Sequence, residues 1–440
     1  MPANYEAFRG GEVDAKFIVN VRRELGNISA QKSPLLTKMM QFAKKQEIGP
    51  AGFEVRQYDV NSVQVKAGPS DMDFPLRSQF HAGAYRQIST WLYLTYSIDQ
   101  ATKRAYEKGD SKSGALVNMS GELKMLAEGL GWLRDFYFAT GDCSGRLAVV
   151  GAGGTTTSVP LVTTWNGTPG RGHGTGMIMP EVTYDEVNPT TRAVNNTFRI
   201  SYANRANINR VTNIITPESA LANAPVSGNF LVPTGSAFQL PYGLPLLVGG
   251  GKTGIWQAKN VTGSYEDQSL QLDAGGGALN NWLLERINAK QRLRAGSADD
   301  VPFMYITAFA ERLEYIRSAW SIFQINNGQG ETLDTTVKNA RYRGVGFEEF
   351  PAVDADRLYA CNPSSFTYCE EMPPGIISTD GLVWRQMAAV GATPFGSGRW
   401  YTNYGTGYNW MVEDPQNHGV IVNLYVDPNA PTLANYFATT

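Results

Sequence analysis

The chain has 440 residues, with 18% charged side chains, 42% hydrophobic residues, 46 Gly, 23 Pro and a formal charge of −2. This length exceeds what one hydrophobic core serves (roughly 250–300 residues), and the apolar content excludes a disordered chain. Near-neutral charge gives no global drive toward nucleic acid or anionic membrane, and three cysteines without pairing spacing suggest a reducing compartment. The start, Met1-Pro2-Ala3-Asn4-Tyr5-Glu6, has no signal-peptide pattern, and no 18-residue apolar run predicts a membrane span.

Residues 1–50 read as an arm with eight basic and five acidic side chains. Ser33 as N-cap, Pro34 in the first turn and the stripe Leu35, Leu36, Met39, Met40, Ala43 predict an amphipathic helix running to Glu47. The arm's positive bias is expected to face inward or meet another protein. Phe53, Val55, Val60, Val63 and Val65 then alternate. After the break Ala67–Asp71, a return arm runs through Phe74 and Phe80 to Ile88–Leu94. A two-stranded ribbon with so few apolar residues is marginal in water and needs another surface.

Leu116, Met119, Leu123, Leu126, Leu130, Leu133 and Tyr137 are spaced 3-4-3-4-3-4, predicting one long helix over 112–139, roughly 40 Å at 1.5 Å per residue. Residues 151–250 hold nine charged side chains and frequent turn signals such as Asn166-Gly167 and Asn188-Pro189, predicting an all-β insertion. Helices are expected at Ala278–Arg294 and Ala308–Ala319. Strands are expected at Val301–Thr307, Tyr342–Phe347, Arg357–Cys361, Leu382–Met387 and Val420–Val426. The order indicates an α+β fold.

No motif supplies chemistry. Gly249-Gly250-Gly251-Lys252-Thr253 lacks the first glycine of a phosphate loop and is followed by strand-like residues, so it reads as a turn. His81, His173 and His418 have no partner at metal-ligand spacing and read as loop residues. The pairs Asp71/Asp73, Asp354/Asp356, Glu348-Glu349 and Glu370-Glu371 read as solvated charges rather than acid–base partners. Cys143 has nothing nearby to lower its pKa. Catalytic, cofactor-binding and metal residues are therefore predicted to be absent, and the chain is not expected to be an enzyme.

Three strings carry a resemblance. Asp135-Phe136-Tyr137-Phe138-Ala139-Thr140-Gly141-Asp142 with Gly145-Arg146-Leu147-Ala148 follows the long helix. Gly228–Pro233 with Tyr242–Val248 closes the β insertion. Tyr342–Phe347, Phe350–Asp354 and Arg357-Leu358-Tyr359 precede a closing Asn423–Pro431. In order and spacing these resemble the major capsid proteins of tailed bacteriophages, the Hong Kong 97-type capsid fold. The resemblance implies an N-terminal arm (1–50), an extended β-hairpin loop (51–98), a peripheral domain with a spine helix (99–154) and an inserted β domain (155–245). A return to the peripheral domain (246–275), an axial domain (276–400) and C-terminal strands (401–440) complete it.

It also implies self-assembly through pentamers and hexamers into an icosahedral head shell enclosing double-stranded DNA, located in the virion and assembled in the host cytoplasm. A separate scaffolding protein, a portal and decoration or cement proteins are the implied partners, with non-specific DNA contact, no membrane and no cofactor. Val63, Val65, Lys66, Phe74 and Arg77 are the expected inter-subunit contacts of the loop, Lys66 being the one candidate for a covalent crosslink. The seven seam residues are expected to pack the spine helix. Alternatives are an encapsulin-like compartment shell and a β-rich carbohydrate-binding or hydrolytic virion protein.

Overall fold

The computed structural model describes residues 32–48, 53–59, 81–87, 90–99, 114–201, 205–250, 252, 255–257, 259–260, 268–295, 304–325, 341–343, 345–377, 385–386, 399–427, 430 and 432. The fold is α+β. In chain order it runs α1 (Pro34–Phe42), β1 (Lys44–Glu47), β2 (Phe53–Asp59), β3 (His81–Gln87), β4 (Thr90–Asp99) and the long α2 (Gly114–Thr140). The insertion contributes β5 (Ala148–Val149), β6 (Thr183–Val187), β7 (Val194–Arg199) and β8 (Phe230–Pro233). Next come β9 (Leu270–Asp273), α3 (Asn281–Ala295), β10 (Met304–Thr307), α4 (Phe309–Ile325), β11 (Arg341–Tyr342), β12 (Val345–Glu349) and β13 (Leu358–Cys361). The last strands are β14 (Phe366–Ile377), β15 (Arg385–Gln386), β16 (Arg399–Val412) and β17 (Gly419–Val422).

Two sheets form the frame. In the first, β1 runs parallel to β14, and β14 pairs antiparallel with β16. β16 also pairs with β4 from Arg399↔Asp99 to Tyr408↔Thr90, and with β15. The second has the order β9-β17-β13-β10-β12-β11. Both long strands of the first sheet carry residues that read as turns: Pro373-Pro374 in β14, and Gly405 and Gly407 in β16. Register shifts at Glu370/Met372 and Met372/Gly375 take up the prolines, which a regular ladder would reject. Gly407 lets the Trp91 ring approach closely, since a Cβ there would lie 3.0 Å from that ring. Burial repays the poor propensity: Tyr404, Tyr408 and Trp410 are enclosed.

Local expectations are corrected at three places. The first helix stops at Phe42, and Lys44–Glu47 is an exposed strand on the edge of β14. Ser33 does not cap it by its side chain; Asp135 of α2 does, its Oδ1 accepting from Leu36 N at 2.8 Å. The strand expected at Tyr342–Phe347 breaks into β11 and β12 around Arg343, whose φ of 51° turns the chain back.

α2 spans Gly114–Thr140, as the seam spacing predicts. Leu116, Met119 and Leu123 lie in its first three turns. Leu130 and Tyr137 are buried, and Leu126 and Leu133 are half-buried against the main core. From Arg134 to Thr140 every residue is buried, so the helix end is enclosed on all sides rather than along one seam. The insertion is β-rich with no α-helix between residues 151 and 201, but its core is not separate. Val159, Leu161, Ile178, Tyr184, Phe198 and Ile215 join the same cluster as Phe136, Phe138 and Trp410. A second cluster, around Leu284, Ile287, Tyr305 and Leu358, lies between the second sheet and helices α3 and α4.

Candidate functional site

The ribbon is the first functional element. β2 and β3 pair antiparallel from Phe53↔Gln87 to Asp59↔His81 and, among the described residues, with no other strand. The return arm does not stay in the ribbon: from Thr90 it enters the first sheet as β4. Val63, Val65, Lys66, Phe74 and Arg77 lie outside the described residues, as does the pair Asp71/Asp73.

The second element is the segment of α1 and β1, which joins the first sheet through β1 and reaches the second through Lys38 and Glu348. Leu35, Leu36 and Met39 fill the main core. Lys32, just before it, and its own three lysines reach four glutamates on different elements: Lys32 to Glu128 on α2, Lys38 to Glu348 on β12, Lys44 to Glu413 just past β16, and Lys45 to Glu370 on β14 at 2.6 Å. At these four positions the arm's positive charge is met within the chain, where the expectation is that it faces inward or meets another protein; Arg9, Lys16, Arg22 and Arg23 lie outside the described residues. Glu348 and Glu349 sit on opposite faces of β12, so Glu349 pairs with Arg312 of α4 instead.

Behind the segment, α2 supplies two neighbouring charges to two elements. Arg134 donates to the Tyr368 hydroxyl at 2.8 Å and lies over the Tyr408 ring at 4.9 Å. Tyr368 in turn donates to Glu370. Asp135 faces α1, and burial pushes its carboxyl up to about 7, opposed by the Leu36 and Leu35 N–H groups and by Arg134.

The third element is a buried ionic junction that the sequence reading placed in solvent. Asp354 and Asp356 are enclosed in the turn before β13, because the insertion folds over them. Arg171 of the insertion lies 3.5 Å from Asp354 and 3.9 Å from Asp356, and Arg357 lies 3.9 and 3.7 Å from the same carboxylates. Thr168 donates to Asp356 at 3.4 Å. His173 Nε2 sits 4.0 Å from Asp354 and its ring stacks edge-on against Phe136. Burial, reinforced by Arg146, holds His173 down at about 4, so it is neutral.

Glu311, in the first turn of α4, is fully enclosed, and neither of its carboxyl oxygens has a hydrogen-bond partner. Burial pushes it up to about 9, helped by Asp356 and Glu314, so it carries a proton at neutral pH. Two guanidiniums then face two carboxylates and a neutral acid. A small cavity beside the junction is lined mainly by Ala308, Phe309, Pro351, Val353 and Ala355.

Nucleophile–base geometry is closed where it comes nearest. His418 Nδ1 accepts from Asn362 N at 3.2 Å, which leaves Nε2 to donate to Ser365 Oγ at 2.6 Å. Ser365 gives its own proton to the Asn362 carbonyl at 3.0 Å. The ring therefore cannot accept a proton from that serine, and burial drives His418 down to about 3. Burial pushes Cys143 and Cys369 up to about 12, away from thiolate. Among the described residues no cluster of three or more His, Cys, Asp or Glu is placed to hold a metal, and no helix is long and apolar enough to cross a membrane.

No family model and no curated protein matches the chain. Three of the solved structures similar to it are the following. The cyanophage A-1(L) capsid asymmetric unit has a TM-score of 0.47 at 9% identity, covering 89% of this chain and 93% of that one. Gordonia phage Cozz gives 0.39 at 11% identity, over 88% and 86%. The holo-SrpI encapsulin complex from Synechococcus elongatus PCC 7942 gives 0.42 at 8% identity, over 89% and 88%.

Arg134, Asp135 and Arg171 give no local signal because each finds its partner far along the chain, and Glu370, expected in solvent, is buried against Lys45 of β1. One signal was present. With only 18% charged residues in the chain, the close set Asp354-Ala355-Asp356-Arg357 between apolar neighbours was a candidate for pairing rather than solvation.

Proposed function

We propose that this chain is a self-assembling shell subunit, a structural protein rather than a catalyst. The observation that carries the reading is the ribbon. β2 and β3 hold only each other by backbone bonds among the described residues, while the strand that follows is built into the first sheet. β3 touches β16 and the strand Lys259–Asn260 of its own chain, and since two strands alone are marginal in water, the remaining stability is borrowed from a further surface, which a sister copy supplies at every contact of a closed ring. Many such modest contacts hold a subunit firmly because all must release together.

The finer reading follows the sequence resemblance: pentamers and hexamers of a tailed-phage major capsid protein, closing an icosahedral head around double-stranded DNA with scaffolding, portal and decoration proteins. In that reading residues 1–50 are the arm, 51–98 the extended loop, 155–245 the inserted domain and 276–400 the axial domain. Val63, Val65, Lys66, Phe74 and Arg77 make the loop's contacts.

The test is electron microscopy of the purified protein, beside a variant in which residues 54–86 are replaced by a short Gly-Ser turn. Closed or polymorphic shells from the parent, with folded but unassembled variant, are expected. Monodisperse parent under all conditions, or shells from the variant, would overturn the proposal.

A further inference from the structure

Helix α3 is held firmly from one side and left bare on the other. Its start is fixed by Asn280, whose Oδ1 accepts from Leu283 N at 3.0 Å, and by α4, where the Tyr315 hydroxyl donates to Asn281 Oδ1 at 2.9 Å. Leu283, Leu284 and Ile287 fill the second cluster. Two polar groups pin the same side: Asn288 Oδ1 accepts from the Tyr305 hydroxyl at 3.0 Å, and Gln291 Nε2 donates to the Ala360 carbonyl at 3.1 Å. With that side committed to the second sheet, Trp282, Arg286, Lys290 and Leu293 form one stripe on the outer side, spanning about 80° of the helix circumference.

Trp282 is 68% exposed and Leu293 84%. They stand roughly 16 Å apart along the axis, with both cations between them. Scattered exposed apolar side chains are ordinary, but an indole and a leucine closing the two ends of one stripe on a pinned helix mark a contact surface. The charges decide what fits it. Glu285, the one carboxylate of α3, is taken up within the chain, accepting from the Tyr342 hydroxyl and from Arg343 at 2.8 Å. No carboxylate among the described residues pairs with Arg286 or Lys290.

We infer that the outer face of α3 is a docking site for an acidic amphipathic helix of another protein, whose apolar stripe covers Trp282 and Leu293 and whose carboxylates meet Arg286 and Lys290. Side chains four and seven positions apart repeat along one face of each helix, so two helices laid together match at this spacing. The indole supplies the large buried anchor on which such contacts depend, and the cations select an acidic partner over a basic one. A nucleic-acid backbone would use the cations but leave Leu293 with nothing apolar to cover it. The inference concerns one face of one chain and does not rest on the shell reading.

Fluorescence anisotropy with the full-length protein tests it, using three labelled peptides of about 18 residues, roughly 27 Å of helix. They share one leucine stripe and carry Glu, Gln or Lys on the polar side. The Glu peptide is expected to bind about tenfold more tightly than the Gln peptide, the Lys peptide most weakly, and added salt to weaken the Glu peptide. Trp282→Ala should weaken the Glu peptide about tenfold or more, and Lys290→Glu should shift the preference toward the Lys peptide. Both positions are exposed, so both variants should unfold in urea at the parent's midpoint. Equal affinity for the three peptides, or a preference that both variants leave intact, would overturn the inference. Tighter binding of a duplex oligonucleotide than of the Glu peptide would also overturn it, giving the face to nucleic acid. A changed oligomeric state in Trp282→Ala would overturn it in favour of a sister copy.

Discussion

Replacing Glu311 by Gln makes a sharp demand on the buried junction. Its carboxyl is fully enclosed without a hydrogen-bond partner, and it holds its proton to about pH 9, against 4.5 in a solvated glutamate. A group whose folded value is raised favours the fold fully only below its unfolded value, and that advantage is lost as pH rises toward the folded one. At pH 7 the gap is worth about 3 kcal/mol against the native state, at roughly 1.4 kcal/mol per unit. Gln has the same shape and never ionises, so Glu311→Gln should match the parent near pH 4.5 and exceed it by about 3 kcal/mol at pH 7. Urea unfolding at a series of pH values reads this directly. Parallel stability curves for parent and variant between pH 5 and 8 would refute the reasoning, because they would mean that Glu311 ionises in the fold as it does in water.

Two further substitutions test the packing around it. Arg171→Met should destabilise by about 3–5 kcal/mol, since it leaves the enclosed Asp354 and Asp356 with Arg357 as their one remaining guanidinium in the junction; an unchanged melting temperature would show that water already reaches the pair. Leu130→Ala, at a buried position on α2, should cost about 2–5 kcal/mol in urea unfolding, and a loss under 1 kcal/mol would mean that the helix is held chiefly from Arg134 onward.

What the sequence reveals and what it hides divide along physical lines. The long helix is legible because its seam repeats for six turns, and α3, β10 and α4 because apolar periodicity and punctuation agree there. The two longest strands were missed. Pro373-Pro374 is accommodated only by register shifts with β16, and Gly407 only by the Trp91 ring above it, and neither partner is visible locally. The first helix ends before Lys44–Glu47 although those residues are helix-compatible, because pairing with β14 overrides that preference. Asp354 and Asp356 looked solvated because the arginine that covers them arrives from the insertion. His173 was read as a loop residue, which its positive φ of 60° fits, but it is buried against Phe136.

The side chains that bind the segment of α1 and β1 include Asp135, 99 positions past Leu36, and Glu413, 369 positions past Lys44. Residues 33–48 must wait until the chain has been made past Glu413 before all of their contacts can form, because the strand that receives β1 ends at Ile377 and the glutamate that takes Lys44 is Glu413. Long-range closure of this kind is slow compared with local helix formation. A nascent chain that has not yet reached Glu413 therefore lacks these closing contacts and leaves the edge of β14 uncovered.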